Sequence, residues 1–355
     1  MKIELDLSPS LINATAMAHL CRDAAEALTG LEVRGAYFGE VRDRPPEGAD
    51  AARLRGRLDA LLASGGANPG LLATDVDRRV FLDPLYTLFG EVREQDAVLI
   101  LDLSVVTTPR WHNPAVAKLY EKAMARIAAV QPRLLAISQN TADSYYANYG
   151  YPRRDIAVTP LYVPDHLLDP PAAAGLGREG RPYFLFVGSL EARKNVAGAI
   201  RSFGLSGMAE RGFDFILAGG AGHGAEAAHA AAAQTRNVHL TGRVSHDELA
   251  ALYAGASGFI YPSYLEGFGI PLLEALGYGV PAVSSITGAC PEVGGDLVAY
   301  CDPDDHAALA AEIARIGEMT ADQRAAFAVA ARDRATQVFS KARFQAAFRQ
   351  AVEDI

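Results

Sequence analysis

The chain has 355 residues, which favours two domains over one small core. Its net charge of −9 and its 21% of charged residues exclude the basic body of a nucleic-acid-binding protein. No apolar run approaches the roughly 20 residues that span a bilayer, and the N-terminus lacks the apolar core of a signal peptide. A cytoplasmic protein is therefore expected. The three cysteines are scattered, so they fit neither a disulfide framework nor a zinc site.

The first half predicts alternating strands and helices. We expect a first strand at 3–7 and a helix at 14–28, with Asn13 or Thr15 as its cap. The segment between them, SLINATA (10–16), contains no glycine. Further along, the apolar runs and amphipathic segments predict a strand at 97–103, a helix at 114–129, a strand at 134–138, and a helix capped by Asn140 or Thr141.

Residues 42–63 contain a turn-like pair of prolines and then an amphipathic helix that carries Arg53, Arg55 and Arg57. A charged helix face is usually solvated. The alternative is a peripheral contact between these arginines and the phosphates of membrane lipids.

Two Asp-x-Asp pairs stand in turn-like surroundings, Asp75-Val76-Asp77 and Asp302-Pro303-Asp304. Such a pair can hold a divalent metal on a phosphorylated substrate. Short acidic pairs are common, however, and we expect no metal site at either.

The second half begins after a linker rich in Pro, Gly and Ala at 165–182. A buried strand is predicted at 183–187, followed by a loop with Arg193 and Lys194 and then by a helix. Another strand at 213–217 leads to a glycine run, 219–224. The repeated alternation predicts a doubly wound parallel sheet.

The glycine run matches the loose dinucleotide-binding pattern Gly220-x-Gly222-x-x-Ala225. That pattern also requires an acidic residue after the next strand. The next strand is predicted at 238–241, and Gly242-Arg243 follow it. Ser245 and Glu248 then form a predicted capping box. The pattern therefore favours a tight turn over an NAD site.

Residues 259–285 predict a strand, a glycine-rich loop with Glu266, a helix with Glu274, and another strand. Pro271 fits the first helical position. The loop 267–269 leads into a helix N-terminus, which attracts an anion. The residues alone leave two interpretations of Glu266 and Glu274 open. They are ordinary carboxylates of a loop and a helix, or they bind hydroxyl groups and stabilise positive charge that develops during a reaction.

The run PSYLEGFGIPLLEALGYGVPAVSS (262–285) strongly resembles the donor-site signature of retaining glycosyltransferases of family 4. These nucleotide-sugar enzymes are related to bacterial mannosyl- and rhamnosyltransferases and to glycogen synthases. The resemblance continues in VGSLEARKN (187–195), LTGRVSHDELAALYAGAS (240–257) and PEVGGD (291–296). It is weaker in DLSVVTTPRWHNP (102–114) and AISQNTADSYYANYG (136–150).

The resemblance implies an α/β fold of GT-B architecture, with two doubly wound Rossmann-like domains facing a cleft. It places an acceptor-side domain at 1–164, the linker at 165–182 and a nucleotide-sugar-binding domain at 183–338. The helix at 339–355 is expected to pack back on the first domain.

The resemblance also implies residue roles. Glu266 would meet the donor sugar as a catalytic residue, together with Arg193 and Lys194 on the diphosphate. Glu274 would bind the ribose, and Val244 would hold the base through its backbone. The remaining expected donor-binding residues are Gly188, Ser189, Gly267, Phe268, Gly269 and Leu273. Asn13 and Asp102 are expected on the acceptor side, and no metal or organic cofactor is expected.

Three features depart from the family pattern. Family members commonly have a glycine-rich turn where this chain has SLINATA (10–16), so either the acceptor side of the cleft differs or Asn13 and Thr15 only cap the helix. Leu101 stands before Asp102, where family members often have a histidine, and Ser189 follows Gly188, where they often have an arginine. The lost histidine removes a contact near the sugar's 6-hydroxyl, a loss that a 6-deoxy donor would tolerate.

The expected function is retaining transfer of a hexose or 6-deoxyhexose from a GDP-, UDP- or dTDP-sugar to a glycan or lipid-linked acceptor. Such transfer would serve surface polysaccharide biosynthesis in the cytoplasm, at the inner face of the membrane, without nucleic acid. Two alternatives remain: a catalytically weak GT-B protein that binds nucleotide sugar, and an NAD-dependent oxidoreductase.

Overall fold

The computed structural model describes residues 1–13, 16–66, 75–150, 156–163 and 180–354. The chain divides into two compact units, residues 1–160 with 342–355, and residues 161–341. The predicted end of the first domain at residue 164 and most of the predicted linker, 165–179, lie outside the described residues, as does Thr15. The predicted domain bounds therefore stay predictions.

The first unit is built on a seven-stranded sheet. Its strands are β1 Lys2–Asp6, β2 Glu32–Tyr37, β3 Glu40–Arg42, β4 Arg78–Phe81, β5 Ala97–Ile100, β6 Arg133–Ala136 and β7 Ile156–Val158. Their order is β3-β2-β1-β4-β5-β6-β7, and every neighbouring pair is parallel except the hairpin of β2 and β3. Strand β5 is apolar and fully buried, as suits a strand covered on both faces, whereas the central strands β1 and β4 also bury charged residues, Glu4, Asp6, Arg78 and Arg79.

The helices of the first unit between these strands are α1 Pro9–Ile12, α2 Ala16–Ala27, α3 Gly48–Ala63, α4 Ser104–Thr107, α5 Pro114–Val130 and α6 Gln139–Tyr149. The sequence did not predict α1, whose last residue is Ile12 and whose C-cap is Asn13. The predicted caps of α6 were wrong, because the hydroxyl of Ser138 accepts the backbone N–H of Thr141 at 3.0 Å.

The second unit holds a six-stranded, all-parallel sheet in the order β10-β9-β8-β11-β12-β13. The strands are β8 Tyr183–Val187, β9 Asp214–Ala218, β10 Val238–Gly242, β11 Gly258–Tyr261, β12 Ala282–Ser285 and β13 Ala299–Cys301. The chain runs outward from β8 to β10 and returns beside β8 as β11. The carboxyl edge at β8 and β11 is therefore a topological switch point, where open parallel sheets bind ligands.

The helices of the second unit are α7 Val196–Leu205, α8 Glu226–Gln234, α9 His246–Gly255, α10 Ile270–Gly277, α11 Cys290–Gly294, α12 His306–Gly317 and α13 Ala321–Gln337. The capping box predicted at the start of α9 is confirmed, with Ser245 and Glu248 bonding each other's backbone. Pro271 is the second residue of α10 and not the first as predicted, because the helix begins at Ile270.

The last helix, α14 Lys341–Glu353, belongs to the first unit from residue 342 onward. Its apolar face buries Phe344, Phe348 and Val352. The guanidinium of Arg78 on β4 donates to the carbonyl of Val352. No helix in the described ranges combines the length and apolarity needed to cross a bilayer.

Candidate active site

Two loops at the carboxyl edge of the second sheet pack directly on each other. The backbone N–H of Leu190, in the loop after β8, donates to the carbonyl of Gly220, in the loop after β9, at 2.9 Å. Gly219 has a φ of +158°, and a Cβ there would lie 1.9 Å from the carbonyl oxygen of Gly188. Glycine is therefore required at 219 for a structural reason, because a side chain there would prevent the β8 loop from packing on the β9 loop.

The β8 loop is also attached to the loop after β11. Arg193 Nη1 donates to the carbonyl of Leu265 at 2.6 Å, and the N–H of Tyr264 donates to the carbonyl of Arg193 at 2.9 Å. The adjacent cations Arg193 and Lys194 are therefore held beside Glu266.

The structure brings the three predicted catalytic residues into one cluster. Lys194 Nζ lies 2.9 Å from Glu266 Oε1, and Arg193 Nη1 lies 3.3 Å from Glu266 Oε2. A fourth member, Tyr261 at the end of β11, was missed by sequence reasoning. Its hydroxyl donates to Glu266 Oε1 at 2.8 Å and accepts from Lys194 Nζ at 2.7 Å. We call Arg193, Lys194, Tyr261 and Glu266 the carboxylate cluster.

The carboxylate cluster keeps Glu266 ionised. Burial by itself raises the pKa of Glu266, but the charges of Lys194 and Arg193 outweigh burial and lower the pKa to about 2. Arg193, Lys194 and Glu266 together carry one positive charge, and Glu191, 3.5 Å from Arg193, balances it. The cluster thus places two cations side by side at this edge, in a chain of net charge −9, without a net charge of its own.

The loop after β12 contacts the backbone of Glu266. The N–H of Ala289 donates to the carbonyl of Glu266 at 3.0 Å. Gly288 has a φ of +63°, and a Cβ on it would lie 2.7 Å from the same carbonyl oxygen. The only sequence signal for this contact is a glycine between two short elements.

Helix α10 begins directly beyond the carboxylate cluster. Its N-cap is Gly269, at a φ of +98°. Phe268 is buried and packs edge-on against Phe339 at 5.5 Å, and Leu273 is fully buried. The side chains of these two predicted donor-binding residues therefore belong to the core, and their backbone alone is left for a ligand.

Glu274 lies in the second turn of α10, beyond the first turn, where a carboxylate interacts favourably with the helix dipole. Its Oε2 accepts the hydroxyl of Tyr253 on α9 at 2.7 Å, and Tyr253 stacks on Tyr278 at 5.4 Å. Burial raises the pKa of Glu274 to about 7, against the opposing effect of the Tyr253 hydrogen bond. A carboxylate with this pKa titrates near neutral pH.

The remaining predicted donor residues follow neighbouring strands at the same carboxyl edge. Gly188, after β8, has a φ of +142°, and a Cβ there would lie 3.1 Å from Lys194 Cδ. Ser189 is exposed beside it, and Val244 is half-buried after β10.

Asn13 and Asp102, the predicted acceptor-side residues, lie on different loops of the first unit. Asn13 is exposed at the end of α1. Asp102 Oδ1 accepts the backbone N–H of Ser104 at 2.7 Å and the Ser104 hydroxyl at 2.6 Å. Asp102 therefore also stabilises the start of α4.

The two Asp-x-Asp pairs have structural partners. Asp77 accepts the backbone N–H of Lys2 at 2.8 Å, and Asp75 lies 3.5 Å from Arg34. Asp304 accepts the hydroxyl of Tyr264 at 2.6 Å. Within the ranges that the structure describes, no three His, Cys, Asp or Glu side chains are grouped to hold a metal ion.

Comparison with known proteins identifies relatives of the chain. The family described as "Glycosyl transferases group 1" matches residues 173–334. The chain is 31% identical over 222 residues to O-antigen chain mannosyltransferase B of Escherichia coli, covering 60% of this chain and 58% of the relative. It is 33% identical over 254 residues to the D-rhamnosyltransferase WbpZ of Pseudomonas aeruginosa, covering 66% and 63%. The chain thus spans less than two thirds of either relative's length.

Among solved structures, the chain is similar to sucrose-phosphate synthase of Thermosynechococcus elongatus. The TM-score is 0.72 over 97% of this chain and 96% of that chain, at 18% identity. A likeness at this identity concerns the fold alone.

Proposed function

We propose that the chain is a retaining glycosyltransferase, because residues 173–334 match the family described as "Glycosyl transferases group 1" and the fold is of the GT-B type. It transfers a hexose or 6-deoxyhexose from a nucleoside diphosphate sugar to a glycan or lipid-linked acceptor in polysaccharide assembly. Retention is inferred from the resemblance of residues 262–285 to retaining enzymes. The names of the mannosyl- and rhamnosyltransferase relatives support the sugar class.

The carboxylate cluster is the observation that carries this proposal. A diphosphate requires cations and backbone donors, which Arg193, Lys194 and the N-terminus of α10 supply at the switch point. Glu266 stays ionised beside them, where it accepts sugar hydroxyls and stabilises positive charge on the ring. The carboxylate cluster thus contains both the cations for the diphosphate and the carboxylate for the sugar.

In the reaction, the bond between the anomeric carbon and the diphosphate oxygen breaks, and its electron pair leaves with the diphosphate. The acceptor hydroxyl oxygen bonds to the anomeric carbon on the same face, and its proton passes to the departing phosphate oxygen. Arg193 and Lys194 stabilise the charge that grows on the diphosphate, and the bound geometry aligns the two substrates.

The nucleoside would occupy the same carboxyl edge. We assign the ribose hydroxyls to Glu274, whose carboxylate already accepts one hydroxyl, that of Tyr253. The base lies at the backbone of Val244 after β10. On the first unit, Asn13 and Asp102 are the proposed acceptor-side residues.

The first experiment tests whether Glu266 and Glu274 act differently. Transfer from a panel of GDP-, UDP- and dTDP-sugars identifies the donor. Glu266→Gln should then reduce kcat by roughly 10², because its charge matters most in the transition state. Glu274→Gln should mainly raise KM, because a ribose contact is made equally in the ground and transition states. Normal turnover by Glu266→Gln would refute its assignment to the sugar.

The second experiment asks what the two cations bind. Arg193→Ala and Lys194→Ala should each weaken the binding of a nucleoside diphosphate far more than that of the free nucleoside. Equal losses for both ligands would show that the pair does not contact the phosphates. Transfer should also continue in EDTA, and loss of activity restored by Mg²⁺ or Mn²⁺ would contradict a metal-independent reaction.

A further inference from the structure

Arg243 stands at the carboxyl edge of the second sheet but outside the carboxylate cluster. It directly follows β10 and precedes Val244, the proposed position of the base. Neighbouring strands lie about 4.8 Å apart, so β10 is about 10 Å from β8, whose loop carries the phosphate-binding cations. The ribose and base of a nucleotide bridge a span of that size.

The guanidinium of Arg243 is not used to hold the fold together. The side chain is exposed, and among the described residues it has no hydrogen-bond or ion-pair partner. Glu248, an acidic residue close in sequence, is engaged by the backbone and hydroxyl of Ser245. Arg193 and Lys194, in contrast, are both in contact with Glu266.

Gly220 positions this free side chain. A Cβ added to Gly220 would lie 3.3 Å from Arg243 Nε and 3.4 Å from its Cγ. The φ of Gly220 is not in the left-handed region, so its backbone conformation would admit alanine. The missing side chain at 220 therefore lets Arg243 lie across the β9 loop, along the carboxyl edge.

We propose that Arg243 recognises guanine, which makes the donor of this enzyme a GDP-sugar. The inference rests on the proposed function, and it adds the identity of the base. Guanine presents two acceptors, O6 and N7, on one edge, and a guanidinium pairs with both at once. Uracil and thymine have two carbonyls, but an N–H donor stands between them, and adenine presents an amino donor beside N7, so none of these bases offers two adjacent acceptors to a guanidinium.

The base is a better partner for Arg243 than the diphosphate. The phosphates already have two cations and the N-terminus of α10 on the other side of β9. Arg243 follows a strand two positions from β8, and its side chain lies over Gly220 of the β9 loop, between the phosphate-binding cations and the position proposed for the base at Val244. Arg is also the residue whose planar fork suits bidentate recognition, whereas Lys offers a point charge.

The test measures the binding of GDP, UDP and dTDP to the full-length protein by titration calorimetry. The wild-type protein should bind GDP most tightly. Arg243→Met should weaken GDP binding by about 10- to 100-fold, the range expected for a bidentate pair, and change UDP and dTDP binding by less than about threefold. The GDP affinity of Arg243→Lys should lie between those of the wild type and Arg243→Met, because lysine keeps the charge but loses the planar pair of donors.

Two further variants sharpen the result. Gly220→Ala should displace the guanidinium and lower GDP affinity selectively, by about 3- to 10-fold, a fraction of the full bidentate effect. Arg236→Met is the matched control, because Arg236 is an exposed arginine just before the amino end of β10. It makes the same charge change and should leave the binding of all three nucleotides unaltered.

The outcomes separate this inference from the function on which it rests. Tighter binding of UDP or dTDP than of GDP by the wild-type protein would overturn the guanine assignment and leave the transferase in place. Equal weakening of all three nucleotides by Arg243→Met would overturn it as well, because Arg243 would then contact phosphate. Failure of the wild-type protein to bind any of them would overturn the proposed function itself.

Discussion

At the scale of single residues, the hydroxyl of Tyr261 connects the charged groups of the candidate site. It donates to Glu266 and accepts from Lys194, and the tyrosine is fully buried. The Lys194 ammonium also lies 5.1 Å from the centre of the Tyr261 ring. Tyr261 is therefore a positioning residue, which sets where the carboxylate and the ammonium stand relative to each other.

We expect Tyr261→Phe to lower kcat by about 10-fold or more, because a hydrogen bond to a charged group contributes about 1.5–3 kcal/mol. The affinity for nucleoside diphosphate should change little, since Arg193 and Lys194 remain. Steady-state kinetics on the true donor, together with calorimetry, would separate the two effects. Tyr300→Phe is a suitable control, because the Tyr300 hydroxyl bonds the Gly295 carbonyl away from the cluster. An unchanged kcat would contradict the positioning role.

Glu274 makes stability depend on pH near neutrality. Its pKa is about 7 in the folded protein and about 4.3 in an unfolded chain. Because the folded pKa is the higher one, ionisation of Glu274 destabilises the fold. The free energy of unfolding therefore falls as pH rises from about 4 to about 7, by about 3 kcal/mol in total as an order of magnitude.

Glu274→Gln should remove this dependence. Thermal unfolding between pH 5 and 8 would compare the variant with the wild-type protein, whose Tm should fall relative to that of the variant as pH rises. Asp6 and Asp83, whose pKa values are also raised by burial, contribute equally to both proteins and cancel. Glu210→Gln, at an exposed position, is the control. Parallel pH curves for wild type and Glu274→Gln would contradict the raised pKa.

At the scale of elements, the loops after β8, β9 and β11 of the second sheet are joined to one another by hydrogen bonds. The β8 loop rests on the glycines of the β9 loop and bonds to the backbone of the β11 loop. The Arg193–Lys194 pair thereby keeps its distance to Glu266. The close approach at Gly219 and Gly188 is what lets the first two loops meet.

Gly219→Ala should break this arrangement. Its Cβ would stand 1.9 Å from a backbone oxygen that no side-chain rotation can move. We expect a loss of at least about 2 kcal/mol together with weaker nucleoside diphosphate binding, measured by denaturant unfolding and calorimetry. Gly207→Ala is the matched control, since its φ is +74° but its Cβ would meet nothing within 4 Å. That variant should lose about 1 kcal/mol through strain alone and keep its ligand affinity. Equal effects at both positions would contradict the role of the close approach.

At the scale of the whole molecule, the chain returns to its first unit at the end. Helix α14 buries Phe344, Phe348 and Val352, and Arg349 donates to the carbonyls of Ala27, the last residue of α2, and of Thr29. The first unit is thus completed by the last residues of the sequence, and its stability depends on both ends of the chain.

Phe348→Ala should therefore destabilise the first unit by about 3–5 kcal/mol, the usual cost of removing a buried phenylalanine. The second unit should still bind nucleoside diphosphate. Urea unfolding followed by circular dichroism, with calorimetry on the same sample, would measure both. Phe348→Leu, which fills more of the cavity, should lose less. A Phe348→Ala protein as stable as wild type would show that α14 is not part of this core.

The sequence by itself determined the local features of this protein. Apolar runs located strands such as β5, β8 and β9 to within a few residues, and Ser245 with Glu248 identified the start of α9. The buried strand β4 was missed, because it begins with two arginines and presents no apolar run. The motif at residues 262–285 placed Glu266 in a loop and Glu274 on a helix, and the resemblance of residues 187–195 to the same enzymes pointed to Arg193 and Lys194. Each of these signals lies within one short segment, so it can be recognised along the chain.

The tertiary structure decided which of these residues meet. Lys194 and Glu266 are 72 positions apart, and they touch because β11 returns beside β8, an order that no local pattern encodes. The pairing of β11 with β8 also places the Tyr261 hydroxyl beside these two side chains. The side chains of Phe268 and Leu273, which were predicted to bind the donor, are instead buried in the core. Burial and strand order are properties of the assembled sheet, and they turn a set of separate polar residues into one charged cluster.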